Sequence, residues 1–154
     1  MNKDAVYIIA VDPGITSGIA ALKFAPGEIS CERLLQVRDG LKGLVDAVDA
    51  ISGGLPKYPV ALVIEDFILP YRVHGPQEAK TTLLYIGALT YWAAREIVDV
   101  ALIMPAETKA FGMKRVCEVT GMFPVRMRRM THASDAVRVG LAYWSKRYRE
   151  EHRK

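Results

Sequence analysis

Asp12 ends the apolar run AVYIIAV (5–11), and the turn dipeptide Pro13-Gly14 follows at once. Glu65 and Asp66 end a second apolar run that begins at Tyr58. His132 and Asp135 stand three residues apart in THASDA (131–136). On a helix that spacing separates them by about 60°, so both point the same way. A lone buried carboxylate is costly unless something compensates its charge. In open α/β sheets, ligands gather outside the carboxyl ends of the strands, which is where these acids fall. Singly, each has a plain structural explanation: an acid capping a turn, or a surface His and Asp at a helix start. Together they can surround one or two hard cations. Oxygen donors with open water positions suit Mg²⁺, and one imidazole in the set also admits Mn²⁺. A structural zinc site would want thiolates or more imidazoles. Two such ions about 3.5–4 Å apart form the clamp that hydrolyses phosphodiesters.

The elements that must position these residues can be read from apolar patterning. AVYIIAV (5–11), SGIAALKF (17–24) and EISCERLLQV (28–37) read as three strands joined by tight turns, an antiparallel meander. LKGLVDAVDAI (41–51) has helical spacing and stops at Gly53-Gly54. YPVALVIED (58–66) reads as a buried strand, residues 77–98 as a long helix, and DVALIMP (99–105) as a further strand. One or two short helices are expected over 106–121, and a closing helix over 131–151 with Thr131 as its N-cap. The order βββαβαβαα makes a layered α/β fold with a mixed sheet. Helix 77–98 is apolar on more than one face, so Leu84, Leu89, Tyr91 and Trp92 are candidates for a second packing surface.

At 154 residues, with 51% hydrophobic and 25% charged residues, the chain reads as one globular domain over 1–154, about 145–154 being a frayed basic tail. No apolar stretch is long enough to span a membrane, and the first residues lack a secretory pattern. Cys31 and Cys117 form no metal-binding motif, so a cytoplasmic protein with reduced cysteines is expected. Charge is unevenly spread: residues 1–113 hold 10 Lys/Arg against 13 Asp/Glu, and residues 114–154 hold 11 against 4. The imbalance points to a polyanion approached from one side, with Arg126, Arg128 and Arg129 outside the final helix.

DPGITSGIA (12–20), VIED (63–66) and HASDA (132–136), in that order and followed by a basic region, resemble the RuvC family of Holliday-junction resolvases. The resemblance spans nearly the whole chain, and the short length and loops resemble a phage-type member, in a bacterial or phage-infected cell. It implies an RNase H-like α/β fold: a five-stranded mixed sheet, first three strands antiparallel, with helices on both faces. It implies Asp12, Glu65 and Asp135 as metal ligands, with His132 where the family uses Asp or His, around two Mg²⁺ or Mn²⁺ ions. Asp66 has no counterpart, and strand alternation points it off the opposite face. Lys109 falls in the region that supplies a basic residue near the scissile phosphate, with Lys114 or Arg115 as a second. Phe67 falls near an aromatic that stacks at an opened junction, with Tyr71 and Arg72 as alternative contacts on that loop. Arg126, Arg128 and Arg129 would hold backbone phosphates. Paired cuts of a four-way junction imply a homodimer, formed through the second apolar stripe of helix 77–98.

The resemblance thus implies a metal-dependent endonuclease resolving Holliday junctions and related branched DNA by paired symmetric phosphodiester cuts. A less selective nuclease of flaps, forks or R-loops, and a junction-binding module that does not cut, remain alternatives. A phosphotransferase would need a duplicated core and a second Gly-rich phosphate loop, and neither is present.

Overall fold

The computed structural model describes residues 5–66 and 76–151. Five strands, β1 (Val6–Asp12), β2 (Ser17–Ala25), β3 (Glu28–Val37), β4 (Ala61–Glu65) and β5 (Asp99–Ile103), form one sheet in the order β3-β2-β1-β4-β5. β1, β2 and β3 pair antiparallel, whereas β1, β4 and β5 run parallel. The sheet is therefore mixed, as expected from the tight early turns and the later helical crossovers.

The apolar runs are continuous because the central strands are buried on both faces. Ile8, Ala10, Ala20, Leu22 and Val63 face one core, with Val137, Val139 and Leu141 of α6 (Thr131–Glu151). That core also takes Val116 and Val119 of α4 (Met113–Thr120) and Met127 of α5 (Pro124–Arg129). Ile9, Val11, Ile19, Leu62 and Ile64 face the other core. There Leu44, Val48 and Ile51 of α1 (Gly40–Gly54) and Tyr85, Leu89 and Trp92 of α2 (Pro76–Arg95) cover the sheet. A short helix, α3 (Pro105–Thr108), follows β5. α6 lies so close to the sheet that a Cβ on Gly140 would stand 2.4 Å from Leu22 Cδ1.

The elements differ from expectation in four places. The long helix ends at Arg95, because Ile97 turns into the left-handed region at φ 58° and Val98 returns to the core. β4 begins at Ala61, where pairing with Ile8 begins. Arg126, Arg128 and Arg129 lie in a helix of their own, α5, which Pro124 starts at its first position. Leu89 and Trp92 are not spare surface: both are buried in the core of this chain, and Trp92 Nε1 donates to Asp49 Oδ1 at 3.0 Å. Leu83, Leu84 and Tyr91 are the apolar residues that α2 leaves exposed. No helix among the described residues is long and apolar enough to cross a membrane.

Candidate active site

Asp12, the last residue of β1, stands opposite Gly18 of β2, and Gly18 stands opposite Gln36 of β3. The turn between Asp12 and β2 is closed by Ser17, whose hydroxyl donates to the Gly14 carbonyl at 2.9 Å. The start of α6 crosses this row. A Cβ on Gly18 would lie 1.8 Å from the His132 carbonyl oxygen, so only glycine lets the helix approach there. Gln36 Oε1 accepts the backbone N–H of His132 at 3.0 Å and of Ala133 at 3.4 Å. The expected Thr131 cap is thus corrected: Thr131 is the first helical residue, and a β3 side chain satisfies two of the amides that a helix start leaves orphaned. The approach brings His132 Nδ1 to 2.9 Å from Asp12 Oδ2.

Glu65 reaches the same place from β4. Parallel pairing of Val11 with Ile64 sets the next residue of each strand, Asp12 and Glu65, side by side. A side-chain hydrogen bond joins the two carboxyls. Burial, then the charge of Asp135, pushes the Asp12 carboxyl up to about 7, although the bond to Glu65 works the other way. Burial, then the charge of Asp12, pushes Glu65 up to about 8, and a hydrogen bond from Thr108 opposes that rise. Two half-hidden acids in contact cannot both ionise cheaply, so they share a proton near neutral pH.

Asp135 is near enough to raise both neighbours, but its own bond goes elsewhere. Arg138 Nη1 donates to Asp135 Oδ1 at 2.5 Å, and Arg138 Nε donates to the Phe111 carbonyl at 3.0 Å. The contacts are pairwise, and among the described residues no three His, Cys, Asp or Glu side chains close around one point as a metal cage. A cleft of about 440 Å³ opens over the strand ends, lined by Asp12, Glu65, Asp66, Glu78, Thr82 and His132 among others. Asp66 therefore lines the cleft instead of leaving by the opposite face. β4 ends at Glu65, and strand alternation ends with it.

The basic candidates lie outside this group. Lys109 is exposed just past α3, next to the Thr108 that touches Glu65. Lys114 is exposed on α4, and Arg115 pairs with Glu118 at 3.0 Å. Arg126, Arg128 and Arg129 are exposed on α5. Phe67, Tyr71 and Arg72 lie outside the described residues. Sequence reasoning missed Gly18, Gln36, Thr108 and Arg138 as parts of the site. The i, i+3 spacing of Asp135 and Arg138 was the one local signal. Gln36 and Thr108 act across the fold and leave no mark on the local pattern.

Neither a family model nor a curated protein matches the chain. Solved structures do. A complex of Thermus thermophilus RuvC with a Holliday junction substrate aligns at a TM-score of 0.65 and 17% identity, covering 89% of this chain and 91% of that one. A second Thermus thermophilus RuvC structure aligns at 0.65 and 16% identity, covering 89% and 92%. The chain therefore has a RuvC-like, RNase H-like fold.

Proposed function

We propose that this protein is a metal-dependent endonuclease that resolves Holliday junctions and related branched DNA by paired symmetric cuts. One observation carries the reading: β1 and β4 deliver Asp12 and Glu65 into contact at one cleft, with His132 on Asp12. The RuvC-like fold supports it, since one neighbour was solved with a Holliday junction substrate.

The donor types suit a hard divalent cation, and it is their chemistry, not a closed cage, that supports the reading. Two acids forced to share a proton by burial and mutual repulsion are relieved by positive charge between them. The oxygen-rich set with one imidazole suits Mg²⁺ or Mn²⁺. Asp12, Glu65, Asp135 and His132 would hold the ions, two per site. Such ions supply an activated water and neutralise charge on the scissile phosphate.

The chain's own residues have distinct tasks in this reading. Gly18 and Gln36 fix the start of α6 against the sheet and so hold His132 and Asp135 over Asp12. Thr108 steadies Glu65, and Arg138 steadies Asp135. Lys109, next in sequence to Thr108, would meet the phosphate as negative charge builds on it. Lys114, Arg115, Arg126, Arg128 and Arg129 bind the backbone without reading sequence. Phe67, Tyr71 and Arg72 contact the opened junction. A homodimer, joined through the exposed Leu83, Leu84 and Tyr91 of α2, supplies two sites for two cuts.

The test is to incubate the protein with a four-way junction, a fork and a linear duplex, in Mg²⁺, in Mn²⁺ and in chelator, and to map the products. Metal-dependent, symmetrically paired cuts in the junction are expected. Equal cutting of all branched substrates would make it a less selective nuclease. Binding with no product in either metal would make it a binding module.

A further inference from the structure

α5 carries a surface that the cleft does not explain. Phe123, its N-cap residue, is 83% exposed. Its neighbour Met122 packs against the core, and Met127 is fully buried. The aromatic side chain, with that of Val125, is left in water. It is not on a loose end, for the Phe123 carbonyl accepts the backbone N–H of Arg126 at 3.0 Å and of Met127 at 3.2 Å. With Met127 anchoring the helix, the ring stands on a fixed backbone.

Arg126, Arg128 and Arg129 follow that ring in sequence, within two turns, and are all exposed. Many other surface cations of this chain have acidic partners: Lys23 with Glu28, Arg95 with Glu96, Arg115 with Glu118, Lys146 with Glu107. The three arginines of α5 make no ion pair among the described residues. Only Met130 separates α5 from α6, which carries His132 into the cleft.

A fixed, exposed ring beside unneutralised guanidinium groups matches one ligand chemistry in both parts. Arginines attract the phosphates of a nucleic-acid strand, and the ring stacks on the face of a base. A duplex hides its base faces in its own stack, so the ring gains a partner only where bases are unpaired. A second copy of this chain fits poorly, because a twofold contact would press one arginine cluster onto the other. A lipid surface fits poorly too, because so short a helix offers it only Phe123 and Val125.

We propose that Phe123 and the α5 arginines form a second nucleic-acid contact, outside the catalytic cleft, in which Phe123 stacks on an unpaired base. The proposal rests on the nucleic-acid reading above and narrows it to DNA that exposes single-stranded bases near the cut.

Phe123→Ala, Phe123→Trp and the wild type are titrated in chelator with a labelled single-stranded oligodeoxythymidine and with a labelled blunt duplex, following fluorescence anisotropy. Phe123→Ala should weaken single-strand binding by about five- to a hundred-fold and duplex binding by less than about twofold. Its salt dependence should keep the wild-type slope, since no charge is removed. Phe123→Trp should restore affinity, with tryptophan emission quenched by the single strand and not by the duplex. Equal losses on both DNAs, no loss on either, or an altered oligomeric state of Phe123→Ala would overturn the proposal. If the wild type binds neither DNA nor a four-way junction, the nucleic-acid reading itself falls.

Discussion

Asp12→Asn should make the metal-free protein more stable, not less, and only above a certain pH. The wild-type carboxyl sits at the end of a buried strand with its side chain 14% exposed, and its pKa rises from an ordinary 3.8 to about 7. Between those values the folded protein keeps a proton that the unfolded chain has released. Stability therefore falls as pH rises through that window and levels off above it. At about 1.4 kcal/mol per unit, the ceiling on the loss is about 4 kcal/mol. The shared proton with Glu65 and the open mouth of the cleft lower it, and about 2 kcal/mol is the working figure. Asn keeps the shape and never ionises, so the variant escapes the loss. Melting curves in chelator should coincide below about pH 4, begin to part by pH 5, and separate by roughly 4–8 °C in favour of Asn at pH 8. Mn²⁺ should then raise the wild-type midpoint by mass action and raise the variant's far less. Cleavage should vanish in the variant despite its higher melting point. A variant that melts below the wild type at pH 8, or by the same offset at every pH, would show that Asp12 is not held against its own charge.

Substitutions at Gly18 and Gln36 probe the surroundings of that carboxyl, and a double replacement on α5 probes the proposed DNA face. Gly18→Ala places a methyl 1.8 Å from the His132 carbonyl and should push α6 off the sheet; a drop of about 1–3 kcal/mol in a denaturant titration and loss of metal binding are expected. Gln36→Leu strips the cap from the amides of His132 and Ala133; it should cost about 1 kcal/mol by thermal melt, and Gln36→Glu should recover most of it. Replacing Arg128 and Arg129 with Ala should weaken binding to junction and duplex alike and flatten the plot of log affinity against log salt, by a slope change of roughly 2. An unchanged slope would remove both arginines from the DNA face.

The fold was legible because its strands are buried twice over. Runs such as YIIAV and ALVI need no periodicity to announce themselves when both faces of the sheet are covered, and tight turns at Pro13-Gly14 and Pro26-Gly27 separated the first three strands. The closing helix was read to its residue bounds, although the cap that placed its start is a Gln36 side chain and not Thr131. What failed were features decided by tertiary contact. Nothing local says that Ile97 will adopt a positive φ and cut α2 short, or that Leu89 and Trp92, rather than Leu83 and Leu84, will face the sheet. The two acids that meet at the cleft, Asp12 and Glu65, were legible as candidates because strand ends are marked in sequence. The groups that steady them were missed because Gln36 and Thr108 are brought in by strand pairing and by the crossover from β5.

The charge pattern of the molecule follows from the same geometry. In the proposed function, a cleft lined by Asp12, Glu65, Asp66 and Glu78 repels the phosphate backbone it must receive. Bound cations would reverse that sign locally, but their reach in physiological salt is only about 8 Å. Attraction away from the cleft has to come from other cations along the strand's path, which are screened over the same distance. α5 offers three that make no ion pair among the described residues, one residue before the helix that carries His132. In the proposed function, acid at the strand ends and exposed arginine on α5 are two halves of one requirement: the first sets where a backbone is cut, and the second helps to hold it.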